Sequence, residues 1–136
     1  MTSKITYLGD LRTSSTHIQS GIEILSDAPI DNNGKGEAFS PTDLVANALG
    51  SCMMTIMAIK SKDLNLDLTG STIEVTKIMN AEPRRIGKII VNLKLAVAVT
   101  EKEKTILERA AMSCPVFLSL HPEIEKEISF SWKTNI

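Results

Sequence analysis

Residues 40–62 read Ser40-Pro41-Thr42-Asp43-Leu44-Val45-Ala46-Asn47-Ala48-Leu49-Gly50-Ser51-Cys52-Met53-Met54-Thr55-Ile56-Met57-Ala58-Ile59-Lys60-Ser61-Lys62, and their pattern decides the fold. Ser40 suits a helix N-cap, Pro41 the first helical position and Asp43 the third, where an acid closes a capping box. A helix is expected from there to about Lys62. Apolar residues cover most of its circumference, leaving only a narrow seam of Asn47, Ser51 and Thr55. A helix that is apolar nearly all round must be buried nearly all round. In so short a chain that suggests a central helix covered by a sheet and also by a partner subunit. The apolar run itself, Leu44 to Ile59, is sixteen residues, short of the roughly 20 that span a bilayer.

Working outward from this helix, strand-like alternation occupies residues 4–11 and 16–25, where Ile18, Ile22 and Ile24 share a parity. Residues 27–36 (DAPIDNNGKG) are rich in turn formers and read as a loop. Beyond the helix, residues 71–79 alternate, 80–87 turn, and Lys88 to Val99 place Ile89, Val91, Leu93, Leu95, Val97 and Val99 on one face. Those two runs predict a β-hairpin. Thr100 and Glu103 form a second capping box, opening a helix to about Ser113 that Pro115 must stop or kink. A short helical segment is expected at 116–120 and a last strand at 127–132. The order ββ–α–ββ–α–β defines an α+β fold with mainly antiparallel pairing. All 136 residues are expected to form one domain.

Fifteen basic against sixteen acidic residues leave a net charge of -1. No global field therefore favours nucleic acid or an acidic membrane surface. No basic region followed by an apolar stretch opens the chain, so no signal peptide is expected and the cytoplasm is the default location. Two cysteines, Cys52 and Cys114, are too few for a secreted disulfide framework or a structural zinc site. No metal site is expected. In a reducing compartment they are either buried small hydrophobes or a working thiol pair. Burial among Leu44, Ala48, Leu49, Ile56 and Ile59 would raise the Cys52 pKa, so a reactive Cys52 needs a cation or several donors aimed at its sulfur. Cys114 precedes Pro115 at a helix junction, where free N–H groups favour a thiolate. His17 and His121 lack an acid at ligand spacing, and Gly34-Lys35-Gly36 lacks the strand–loop–helix setting of a phosphate cradle.

Phe39 to Cys52, followed 62 positions later by the cysteine of Ala111-Met112-Ser113-Cys114-Pro115-Val116, resembles the OsmC family of osmotically inducible and organic hydroperoxide resistance proteins. The resemblance extends over essentially the whole chain. It implies an intertwined homodimer in which antiparallel sheets wrap two central helices, with active sites at the subunit interface. It also implies a thiol peroxidase. Cys52 would attack an organic hydroperoxide, Cys114 would resolve the sulfenic acid as a disulfide, and a dithiol such as dihydrolipoamide would reduce it. No bound cofactor is implied. An apolar pocket from Met53, Met54, Phe117 and Leu118 would favour alkyl or fatty-acid hydroperoxides. Arg12 matches the arginine that stabilises the thiolate in this family, where a glutamate ten positions before the first cysteine holds it. Here that position is Thr42, a neutral residue, which leaves Glu37 and Asp43 as the candidates for positioning Arg12. Two readings from other classes stand beside the peroxidase: a module that binds an apolar ligand without chemistry, and a redox-sensing thiol protein.

Overall fold

A computed structural model describes residues 1–134. The chain forms two compact units, Met1–Val45 and the remainder from Ala46.

The first unit is a three-stranded antiparallel sheet, β1 (Ser3–Gly9), β2 (Arg12–His17) and β3 (Glu23–Asp27), in the order β1-β2-β3. The expected strand over 16–25 is in fact interrupted. Gly21 takes a positive φ of 78°, a region glycine enters freely. The Gly21 N–H donates to His17 O at 2.7 Å, and the His17 N–H donates to Ile22 O at 2.8 Å. The shared parity of Ile18, Ile22 and Ile24 thus spans a hairpin turn, and a third strand exists that periodicity alone conceals. Residues 28–40 return along the sheet, with the Ala28 N–H on Leu11 O and the Asp27 N–H on Phe39 O.

Helix α1 (Pro41–Lys62) starts as expected. Ser40 Oγ accepts from the Asp43 N–H at 3.0 Å and Asp43 Oδ2 accepts from the Ser40 N–H at 2.9 Å, a reciprocal capping box. The helix is 22 residues long, with a mean hydropathy of 1.4 over its most apolar window. The whole helix is therefore long enough for a bilayer even though its apolar run is not. Its Leu49, Met53 and Met57 stripe is nevertheless wholly buried within the protein core.

The second unit adds β4 (Thr72–Ala81), β5 (Arg84–Leu95), α2 (Glu101–Met112), α3 (Pro115–Ser119) and β6 (Glu125–Trp132). The hairpin β4–β5 forms as predicted, with β5 starting and ending about four residues earlier than its apolar alternation suggests. Val97 and Val99 lie beyond the strand and pack against the core from a loop. The capping box of Thr100 and Glu103 opens α2. The sheet order is β4-β5-β6, and β6 runs parallel to β5, pairing Val91 with Ile128 and Leu93 with Phe130. This is a departure from purely antiparallel sheets. Its cause is the connection, since α2 and α3 carry the chain back to the starting edge before β6 begins. The core of this unit sets Leu49, Met53 and Met57 against Ile89, Val91 and Leu93 of β5 and Leu107 and Ala111 of α2. Helix and sheet lie close together at Gly50, where a Cβ would lie 2.8 Å from Val75 Cγ2.

Candidate functional site

The two cysteines come together in the second unit. Cys52 lies half-buried in the middle of α1, and Cys114 is completely buried at the N-cap of α3; both are free thiols. Pro115 in the first helical position fixes the turn, and Cys114 takes an extended backbone that leaves its sulfur facing the helix start. Its Sγ accepts from the Phe117 N–H at 3.3 Å. Burial pushes the Cys114 thiol up; the Phe117 and Val116 N–H groups pull it down, and the neighbouring Cys52 adds to the upward side. The donors anticipated at the helix start are present, yet desolvation outweighs them. Cys114 is thus an enclosed thiol beside Cys52.

A second cluster occupies the first unit. Arg12 opens β2 and pairs in register with Asp27 at the end of β3. Its guanidinium forks onto that carboxylate, with Nε 2.7 Å from Oδ1 and a terminal nitrogen 2.9 Å from Oδ2. Asp27 is 1% exposed. The Glu37 N–H donates to its Oδ2 at 3.1 Å. The Arg12 hydrogen bond holds the Asp27 carboxyl below its ordinary range, and the Arg12 guanidinium is shifted upward in return. Of the two expected acids, Glu37 does approach Arg12 as a second, outer partner, and Asp43 does not. Glu37 lies 3.7 Å from Arg12 with its side chain 67% exposed, and Asp43 caps α1. Thr42 shares the cap, its hydroxyl 3.2 Å from Ser40 Oγ.

Sequence reasoning missed Asp27 because it begins the turn-rich run and belongs to a strand whose separate existence was hidden. Had the turn at Gly21 been recognised, the hairpin register would have set Asp27 opposite Arg12.

The four expected pocket residues have different settings. Met53 belongs to the core, and Leu118 is 71% exposed. Phe117 is partly buried, with the Lys126 ammonium 5.2 Å above its ring. Met54 lines two neighbouring cavities, of about 570 Å³ and 490 Å³. Ala58 lines both with it, while Ser61 and Leu66 face the first and Ile73 and Val75 the second. His121 is occupied locally, its Nδ1 accepting from the Glu123 N–H. Among the described residues no group of three or more His, Cys, Asp or Glu is placed to hold a metal ion.

An α+β chain with two sheets, a long core helix bearing one cysteine and a second cysteine capping the short helix that Pro115 opens after α2 is a dithiol domain of a recognisable class. Residues 34–129 match the family model of OsmC-like proteins, and the chain belongs to that family. A protein of Psychrobacter arcticus, provisionally described as an osmotic stress induced and detoxification response protein, is 49% identical. It superposes with a TM-score of 0.93 over 96% of this chain and 95% of its own. The organic hydroperoxide resistance protein OsmC of Legionella pneumophila shares the fold at 15% identity and a TM-score of 0.75, covering 96% of this chain and 97% of its own. The organic hydroperoxide resistance protein OhrB of Bacillus subtilis does so at 16% identity and a TM-score of 0.65, covering 96% and 98%. No curated protein matches the chain.

Proposed function

We propose that this protein is a thiol peroxidase that reduces organic hydroperoxides in the cytoplasm, acting as a homodimer in oxidative-stress defence. The observation that carries the reading is the meeting of Cys52 and Cys114, two free thiols 62 positions apart, one half-exposed and one buried. The Cys52 thiolate attacks the peroxide O–O bond, and the alkoxide leaves and takes a proton as the alcohol. Cys52 is then a sulfenic acid. Cys114 displaces its oxygen as water, forming the Cys52–Cys114 disulfide. An external dithiol of the dihydrolipoamide type returns both thiols and is itself oxidised to a disulfide. Arg12 supplies the permanent cation that favours the Cys52 thiolate. The chemistry resides in the thiols and calls for no bound cofactor.

Two neighbours with this fold are hydroperoxide resistance proteins, which supports the choice of substrate class. The half-buried Cys52, reachable by a small molecule yet flanked by Ile56 and Met53, favours an apolar hydroperoxide over a hydrated one. The test is stopped-flow titration of the reduced protein with cumene hydroperoxide, followed by mass spectrometry. One equivalent should yield a cross-linked Cys52–Cys114 peptide lighter by two hydrogens. Cys114→Ser should instead accumulate a Cys52 sulfenic acid that dimedone traps, and Cys52→Ser should not react. Thiols that oxidise no faster than free cysteine would overturn the peroxidase and leave the apolar-ligand-binding module. Rapid disulfide formation with no turnover under any dithiol would make the pair a sensor.

A further inference from the structure

The chain carries Thr42 where the family resemblance places the arginine-holding glutamate, yet Arg12 is held more tightly than a loop cation requires. We propose that Asp27 is the positioning residue for Arg12, replacing that glutamate with a carboxylate from a neighbouring strand. The inference rests on the reading of Arg12 as the cation that favours the Cys52 thiolate.

Three observations support it. The contact is a fork: two guanidinium nitrogens meet the two carboxylate oxygens at 2.7 and 2.9 Å, which fixes the plane as well as the position of the guanidinium. A single-point contact would fix only distance. Next, Asp27 is buried and held by further bonds: its Oδ2 also takes the Glu37 N–H, and its own N–H donates to Phe39 O. Phe39 directly precedes the Ser40 cap of α1. One residue therefore ties β2 to the segment that leads into the cap of α1. Lastly, the turn that delivers Arg12 is held in a conformation non-glycine residues seldom adopt, with Asp10 at φ 51° and Leu11 at φ 61°. The Leu11 N–H donates to Tyr7 Oη, and its carbonyl accepts from the Ala28 N–H, next to Asp27. Glu37, exposed and at 3.7 Å, is solvent-screened and a subsidiary partner.

The experiment is a double-mutant cycle on the full chain, reading the rate of Cys52 oxidation by cumene hydroperoxide in wild type, Arg12→Ala, Asp27→Asn and the double variant. Removal of the cation should slow the reaction on the order of 10²-fold, the scale set by loss of a directed charge-stabilising donor. Asp27→Asn should slow it at least about tenfold, and should add nothing in the Arg12→Ala background. A merely structural Asp27 would slow both backgrounds equally, and that result overturns the proposal, as does a wild-type rate in Asp27→Asn when Arg12→Ala is slow. A wild-type rate in Arg12→Ala instead overturns the role given to Arg12, and with it the catalytic consequence drawn here. The Arg12 Nε–H resonance in a 1H–15N spectrum gives a readout free of activity and of any variant. Slow solvent exchange in the wild type is expected, and exchange as fast as that of an exposed arginine overturns the fork itself.

Discussion

Burial sets the order in which the two thiols meet a reagent. Cys114 is fully enclosed and its thiol is pushed up by that enclosure, while Cys52 is only half covered. Iodoacetamide at mildly alkaline pH should therefore alkylate Cys52 first, with Cys114 protected until the protein unfolds. Peptide mapping after partial labelling checks this, and preferential labelling of Cys114 would contradict it. The Arg12–Asp27 pair has a pH consequence of the opposite kind. A carboxyl whose folded pKa is lowered contributes stability that is complete above its ordinary pKa, about 3.9, and lost as pH falls through the folded value. Denaturant melts between about pH 6 and pH 3 should show Asp27→Asn losing less stability on acidification than wild type. Both cysteines were legible from local context, a capped apolar helix and a Cys-Pro junction. Asp27 was not, because its meaning lies in a cross-strand register that residues 27–36, read as a loop, give no hint of.

At the scale of elements, the helices were easier to read than the strands because capping is written in adjacent residues. Ser40 with Asp43 and Thr100 with Glu103 both close the boxes their spacing predicts. Strand boundaries depend on partners far away in sequence, so β2 and β3 fused in the periodicity, and β5 ran past its true end. Gly50 illustrates a constraint no helical pattern reveals. A methyl group there would sit 2.8 Å from Val75 Cγ2 and 3.2 Å from Ile73 Cγ2, and these β-branched side chains have little freedom to yield. Gly50→Ala gains up to about 1 kcal/mol of helix propensity but incurs about 1–3 kcal/mol of overpacking. A net loss of stability in urea melts is the expected outcome. A more stable Gly50→Ala would mean that α1 and β4 are not in close contact. Thr100→Ala should cost about 1 kcal/mol through the lost cap on α2, measured the same way.

For the whole molecule, the deciding fact is how much of α1 a single chain leaves uncovered. The helix buries Ala46, Leu49, Gly50, Met53, Met57 and Ser61, one side of a cylinder whose sequence is apolar nearly all round. Val45 and Ile59 remain exposed outside that stripe. The first unit adds Ile5, Tyr7 and Ile22, each more than 60% exposed. Monomers seldom leave so many large apolar side chains in water. The proposed homodimer would cover these residues with a second copy of the chain. Sedimentation equilibrium should give twice the 14.8 kDa chain mass. Ile59→Glu places a charge at a position 58% exposed in the single chain, so it should leave the chain folded by circular dichroism while shifting the equilibrium towards monomer. A mass of one chain at every concentration tested, or a dimer indifferent to Ile59→Glu, would each remove α1 from the interface. A folded but monomeric Ile59→Glu with unchanged peroxide chemistry would go further: it would show that the two thiols need only their own chain, whatever covers the helix.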